Sequence, residues 1–128
     1  MSIELEVLGS PPAQAPNEDE TRELVAAAFA SVGVHDGHVA VEYVDAARIT
    51  ELNRDHRAKH EPTDVLSFPV DGADPMDGPR ELGDIVICPA HTADLREAIV
   101  HGALHLVGMD HEADDGEMLA RQAEILRR

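Results

Sequence analysis

Three histidines in the last third of the chain have a spacing that suits a metal ion. His101 and His105 stand four residues apart in a helical pattern, and His111 follows six residues later. Positions i and i+4 lie on one face of an α-helix, with Cβ atoms about 5–6 Å apart. Both imidazoles can therefore reach one ion at roughly 2.0–2.1 Å, and three protein ligands with one open position are typical of catalytic zinc.

Gly108 provides a way for the third imidazole to return to the ion. The helix cannot supply another ligand one turn further on, whereas glycine readily adopts φ > 0 at a helix C-terminus and reverses the chain. We therefore expect a hook after the helix that brings His111 back, with Asp110 as a candidate hydrogen-bond partner of a ligating histidine. The alternative is three unrelated histidines in a His-rich chain, which the glycine at the turn disfavours.

The histidine spacing is that of the metzincin proteases, whose motif is H-E-x-x-H-x-x-G-x-x-H. The glutamate that acts as general base in that motif follows the first histidine, and the corresponding residue here is Gly102. A peptidase that needs this carboxylate is therefore disfavoured. Metal-assisted hydrolysis stays possible without it, because zinc by itself lowers the pKa of a bound water to about 7.

Length and composition predict a single domain over residues 1–128 with an aliphatic core. Apolar residues make up 43% of the chain and aromatic residues 2%, so Ile, Leu, Val and Ala must form the core. The single cysteine, Cys88, excludes an intrachain disulfide and a cysteine-based zinc site. The first residues lack the pattern of a signal peptide and no apolar run reaches 18 residues, so we expect a cytoplasmic protein without membrane contact.

The charge distribution is uneven. A net charge of −16 repels nucleic acid over most of the surface. Four of the ten basic residues nevertheless fall within twelve positions, namely Arg48, Arg54, Arg57 and Lys59. They form either a solvated helix face or a local cationic patch that can hold a phosphate.

The elements that must position these residues follow from the periodicity of the apolar side chains. Strand patterns occur at about 3–8, 38–44, 63–70 and 82–88, and helical patterns at about 18–32, 46–57, 92–107 and 114 to the end. The first strand is expected at or near a sheet edge, Pro69 in the third indicates a strand end or an edge, and the fourth strand is expected to be buried on both faces. Thr92 is a candidate N-cap of the helix at about 92–107, which carries His101 and His105. The stretch 71–80 is rich in Asp, Gly and Pro and is expected to be a loop.

Several sequence blocks resemble those of the YbeY family of bacterial metal-dependent endoribonucleases. The segment from His101 to His111 resembles the family signature H-G-x-L-H-L-x-G-Y-D-H. Residues 62–69 match its P-T-D-V-L-S-F-P block, and residues 82–87 match its L-G-D-I-V-I block. Leu52-Asn53 with Arg57 resembles its L-N-x-x-Y-R segment. The resemblance extends from about residue 40 to residue 112.

The resemblance implies an α+β, zincin-like fold in which a small mixed sheet of about four strands packs with helices. The metal site would lie on the helix around 92–107 and the turn after it. One zinc ion per chain would be held by His101, His105 and His111, and a catalytic role would fall to Arg57. The implied activity is a zinc-dependent, single-strand-specific endoribonuclease of 16S rRNA 3′-end maturation and ribosome quality control. Its implied partners are single-stranded RNA, small-subunit rRNA, the small ribosomal subunit and assembly factors.

This chain also departs from the family pattern. His56 and Met109 stand where the family has tyrosines, His60 stands where it usually has Asp, and the connection from Cys88 to His101 is shorter than usual. We expect the shorter connection to preserve the metal helix and to alter a wall of the cleft or a partner surface. Two other functions stay open: a metal hydrolase of peptides or other small substrates, and a non-catalytic ribosome-assembly module that retains the metal.

Overall fold

Four strands form one mixed sheet in the computed structural model, which describes residues 2–73 and 78–127. The strands are β1 (Ile3–Gly9), β2 (Gly37–Tyr43), β3 (Val65–Pro69) and β4 (Glu81–Ile87). Their order across the sheet is β1-β2-β4-β3, with β1–β2 and β2–β4 parallel and β3–β4 antiparallel. The predicted mixed sheet of four strands is thus confirmed, and β1 and β3 occupy its edges as expected.

Four α-helices join this sheet in the predicted α+β fold, and the last of them packs on the first and the third. They are α1 (Glu18–Ala30), α2 (Ala46–Arg57), α3 (Leu95–Leu106) and α4 (Glu117–Leu126), and a 3-10 turn at Pro89–His91 precedes α3. Within the described ranges, no helix has the length and apolar composition needed to cross a membrane.

The two faces of the sheet carry different helices because side chains alternate along each strand. On one face, Val41 of β2 and its register partner Ile85 of β4 are fully buried. They belong to the main core, together with residues of α1, α3 and α4 such as Phe29, Leu104 and Met118. This face therefore fixes the helix that carries His101 and His105.

The opposite face is covered at β3 and β4 by α2. Ile49 of α2 is fully buried and packs with Leu66 and Val86 in a second apolar cluster. Asn53 is buried on the same helix, and its Nδ2 donates to the Glu61 carbonyl at 2.8 Å. That bond holds the connection between α2 and β3 against the helix, so the C-terminal turn of α2 has a fixed position relative to the edge strand.

Helix α3 lies closer to the sheet than an ordinary side chain permits. A Cβ at Gly102 would stand 2.6 Å from Cγ2 of Ile85 and 3.3 Å from Oγ of Ser67. The Ser67 hydroxyl donates to the Gly102 carbonyl at 3.0 Å and links the same two elements. Gly102 therefore permits the close approach, and a glutamate at this position, as in the metzincin motif, would push α3 off the sheet.

Helix α3 begins at Leu95, three residues later than expected, because Thr92 is not its N-cap. The cap is Asp94, whose carboxylate accepts from the backbone N–H of Glu97 at 3.1 Å. The Thr92 hydroxyl instead donates to the Cys88 carbonyl at 2.7 Å and closes the 3-10 turn. The connection before α3 is thus ordered by its own hydrogen bonds, and α3 has twelve residues.

Helix α4 begins at Glu117, also three residues later than expected. Asp114 lies ahead of the helix and accepts hydrogen bonds from the backbone N–H groups of Gly116 and Met118, both at 2.9 Å. Gly116 has a φ of 103°, a left-handed conformation that stops the helix from extending further back. The stretch 71–80 has no helix or strand at 71–73 and 78–80, as expected for a loop, while 74–77 lie outside the described residues.

We expect Gly102→Ala to destabilise the metal-free protein by about 1–3 kcal/mol, because its methyl group overpacks the contact between α3 and the sheet. Without that contact, replacing a helical glycine with alanine would stabilise by up to about 1 kcal/mol. Urea unfolding followed by far-UV circular dichroism, in the presence of a chelator, measures the change. Ala120→Gly at an exposed position of α4 reports helix propensity alone. A Gly102→Ala protein as stable as wild type would contradict the close packing.

Candidate metal centre and its cleft

The structure brings His101, His105 and His111 together. His101 and His105 lie one turn apart on α3, and their Nε2 atoms are 3.1 Å apart. The ring centroid of His111 lies 4.9 Å from that of His101 and 5.4 Å from that of His105. One nitrogen of each ring lies within 4.8 Å of the other two, so three imidazole nitrogens surround one point.

The hook that returns His111 is a glycine turn at the end of α3. Gly108 has a φ of 96°, and its N–H donates to the His105 carbonyl at 3.1 Å. The N–H of Met109 donates to the Leu104 carbonyl, also at 3.1 Å. Together these are the two hydrogen bonds of a Schellman motif, which requires a left-handed residue at the glycine position. Gly108 thus has the predicted conformation, and the turn directs the chain back along the helix end.

Hydrogen bonds on the outer side of two rings fix the nitrogen that carries the proton. Nδ1 of His105 lies 2.9 Å from the Met109 carbonyl, which can only accept, so Nδ1 is the donor. Nδ1 of His101 lies 2.8 Å from Oε1 of Gln122, an amide oxygen that also accepts. When each ring carries a single proton, its lone pair is therefore on Nε2, and the two lone pairs face each other.

This arrangement fits a zinc ion. Two lone pairs separated by 3.1 Å repel unless a proton or a metal cation lies between them. Zinc–nitrogen bonds of roughly 2.0–2.1 Å in a tetrahedron place the ligand nitrogens about 3.4 Å apart, close to this separation. The buried Nδ1 of His111 has no hydrogen-bond partner in the described part of the chain. Imidazole donors are also suited to copper, iron and nickel, and three of them leave a coordination position open.

The environment of His105 favours the neutral form that a metal ligand needs. Burial lowers the pKa of His105 below its ordinary value, and the neighbouring His101 lowers this pKa further. The hydrogen bond to the Met109 carbonyl opposes the change to a smaller extent. His105 is therefore neutral at pH 7, and no proton has to leave its Nε2 when a metal binds.

Gln122 is a site residue that the sequence does not reveal. It lies on α4, is 8% exposed, and holds His101 from a helix that begins after the hook. A polar side chain on the apolar face of α4 between Met118 and Ile125 is the one available signal, since a buried amide needs a partner. Among the described residues, no hydrogen bond joins the Asp110 carboxylate to a ligating histidine, and this carboxylate accepts from the N–H of Glu112 at 3.0 Å.

The histidines open into a cleft of about 760 Å³. Its wall includes residues 63–67, which belong to the end of the connection between α2 and β3 and to β3 itself, and Met109 of the hook. The C-terminal turn of α2 adds His56 and Arg57. The cleft therefore joins the metal centre to segments from both faces of the sheet, and it is large enough for a small substrate or a short stretch of polymer.

The basic cluster contains two kinds of residue. Arg48 and Arg54 each form an ion pair with an acid on the same helix, at 3.7 and 3.0 Å. Among the described residues no ion pair includes Arg57 or Lys59, and Arg57 is the member that lines the cleft. The first two form the solvated helix face, whereas Arg57 leaves a guanidinium available to an anion beside the three histidines.

Known proteins resemble this chain in sequence and in structure. A family model described as Endoribonuclease YbeY matches residues 12–128. The Endoribonuclease YbeY of Bacillus cytotoxicus is 39% identical over 127 residues, which cover 82% of this chain and 81% of that protein. The Endoribonuclease YbeY of Alkalilimnicola ehrlichii is 43% identical over 113 residues, which cover 77% and 68%. The solution structure of TM1509 from Thermotoga maritima aligns with a TM-score of 0.52 and 27% identity, over 96% of this chain and 87% of that one.

Replacing Gln122 with methionine should weaken zinc binding by about 10–100-fold, because it removes the acceptor that orients His101 and nearly preserves the side-chain volume. Competition with a chromophoric chelator at neutral pH measures the affinity. Gln122→Glu keeps an acceptor at this position and is the matched control, for which little loss is expected. Equal affinity of the methionine variant and the wild type would remove Gln122 from the centre.

The metal-free protein should lose stability as the pH falls below about 6.5, the ordinary pKa of histidine. Since the pKa of His105 is lowered in the folded state, the unfolded chain binds the proton more readily, and acid favours unfolding between the two values. The contribution of neutral His105 to the free energy of unfolding is fully present above its pKa in the unfolded chain, and it is lost as the pH falls towards its pKa in the folded state. Urea unfolding with a chelator across this range should give a shallower pH dependence for His105→Gln, and an unchanged slope would contradict the assignment.

Proposed function

This chain belongs to the YbeY family of endoribonucleases, and from that membership we propose that it is a zinc-dependent endoribonuclease acting on single-stranded RNA. One observation carries the proposal. Three imidazoles whose spacing fits a zinc ion, two of them with Nε2 turned towards each other, share a cleft with Arg57, for which the described residues provide no ion-pair partner. A phosphodiester is an anion that both parts of this cleft can bind.

Each residue of the cleft has a distinct role in this proposal. His101, His105 and His111 hold the ion through neutral ring nitrogens, and Gln122 keeps the first of these rings in orientation. The chemistry that zinc supplies when bound is Lewis-acid activation of a phosphoryl oxygen or of water at neutral pH. Arg57 donates hydrogen bonds to the phosphate oxygens and offsets the negative charge that develops there during cleavage.

The electrostatics of the cleft support a substrate that presents few phosphates at a time. The net charge of −16 repels a polyanion, and three acids, Asp64, Asp110 and Glu112, also line the cleft. Two of these carboxylates take part in turns, since Asp64 accepts from the N–H of Val65 at 2.8 Å and Asp110 accepts from that of Glu112. A single strand that contacts the protein mainly beside Arg57 meets less repulsion than a duplex with two charged backbones.

We extend the proposal to the maturation of the 16S rRNA 3′ end and to ribosome quality control in the cytoplasm. The expected partners are small-subunit rRNA, the small ribosomal subunit and assembly factors. Family membership and the sequence blocks at residues 62–69 and 101–111 support this role. Rescue of 16S rRNA 3′-end processing in a bacterial strain that lacks its own family member tests it, with His105→Ala as the inactive control.

Peptide hydrolysis has less support from the site. The position of the metzincin glutamate is Gly102, which is buried against β3 and β4 and has no room for a carboxylate side chain. Parallel digestion of casein and single-stranded RNA distinguishes the two activities. Binding to small-subunit particles without turnover, unaffected by a chelator, would instead indicate a non-catalytic assembly module.

Arg57→Glu should lower kcat/KM for single-stranded RNA by about 100-fold or more, because it replaces the phosphate-binding cation with an anion. The zinc content should stay at about one ion per chain, since Arg57 is not among the imidazole ligands. Arg48→Glu makes the same charge change on the same helix, at a residue that is already ion-paired and does not line the cleft. Unchanged cleavage by Arg57→Glu would exclude Arg57 from the reaction.

A further inference from the structure

The cleft contains an aromatic contact that the proposed reaction does not use. His56, in the last turn of α2, packs on Phe68 of β3, with ring centroids 4.6 Å apart and ring planes inclined by 47°. His56 is exposed and lines the same cleft as Arg57 and the three metal-site histidines, while Phe68 is half-buried. An imidazole is thus held at the cleft wall with part of its surface accessible to a ligand.

Aromatic side chains are scarce in this protein, which makes their location informative. The chain has two Phe, one Tyr and no Trp. Phe29 and Tyr43 are buried in the main core, at 0% and 6% exposure. Phe68 is the remaining one, and it supports the ring of His56 beside the cleft.

His56 has a firm support and free ring nitrogens. Phe68 packs against the apolar cluster that includes Ile49, Leu66 and Val86, so it is anchored between α2 and the sheet. The hydrogen bonds and ion pairs of the described residues do not include the ring of His56. Its ring is therefore held by packing, and its polar atoms and exposed surface remain available in the cleft.

We propose that His56, supported by Phe68, stacks on a nucleobase of the RNA whose phosphate contacts Arg57. This inference rests on the proposed function. His56 and Arg57 are consecutive residues that line one cleft, so the phosphate and a neighbouring base of the same strand can reach both. A base stacks on a side chain in this way when it is unpaired, as in other single-strand binding sites. The subsite thus gives a physical basis for the preference for single strands.

The test compares His56→Leu with His56→Phe in the zinc-loaded protein. Affinity is measured by fluorescence anisotropy with a short 2′-O-methyl oligonucleotide, a probe that reports binding without a need for cleavage. Base–aromatic stacking predicts that the leucine variant binds about 5–100-fold more weakly, while the phenylalanine variant binds within about 3-fold of wild type. His60→Leu, an exposed histidine outside the cleft lining, is the matched control and should bind normally.

An abasic scan of the same oligonucleotide locates the stacked base. Wild type should lose most affinity when the base at one particular position is removed. Removal of the same base should cost the His56→Leu variant little affinity, because this variant already lacks the side chain on which the base stacks. Wild-type affinity of the leucine variant, or equal losses for the leucine and phenylalanine variants, would overturn the stacking subsite. Failure of wild type to cleave ordinary RNA would count against the proposed function, whereas the binding comparison would still decide the role of His56.

Discussion

The contact between α3 and the sheet at Gly102 determines the shape of the candidate site. The backbone of α3 reaches the sheet so closely that a Cβ would overlap Cγ2 of Ile85, and the Ser67 hydroxyl donates across the same contact. With this part of the helix buried, His101 and His105 face the cleft that β3 and the end of α2 complete. A looser contact would change the distance between the metal ligands and Arg57, because these groups lie on separate elements.

The imidazoles, the carboxylates and Arg57 have different roles in the cleft beside this contact. The rings of His101 and His105 are oriented by acceptors, namely the Gln122 amide oxygen and the Met109 carbonyl, while burial lowers the pKa of His105. Two of the three cleft acids, Asp64 and Asp110, accept hydrogen bonds from backbone N–H groups, which gives these two negative charges a structural reason beside a proposed RNA site. Arg57 then provides the local positive charge, and the ion pairs of Arg48 and Arg54, both exposed, contribute little to stability.

The connection before α3 is held by hydrogen bonds within its own turn and to the wall of the cleft. Its 3-10 turn at Pro89–His91 is closed by the Thr92 hydroxyl on the Cys88 carbonyl, and the Cys88 N–H donates to the Asp64 carbonyl at 2.9 Å. The same Asp64 lines the cleft, so the connection also helps to hold that wall. The N-terminal cap of α3 follows directly at Asp94, and the histidines retain their place on a helix of twelve residues.

The sequence by itself determined the strands, the helices and the local geometry of the histidines. Spacing within one helix and a glycine at its end act over eleven residues, so these short-range constraints can be recognised without knowledge of distant contacts. Tertiary structure decided the remaining features. Gln122 of α4 accepts a hydrogen bond from His101 of α3, and the Ser67 hydroxyl of β3 donates to the Gly102 carbonyl of α3. These choices depend on contacts between distant segments, which periodicity in a single chain does not encode.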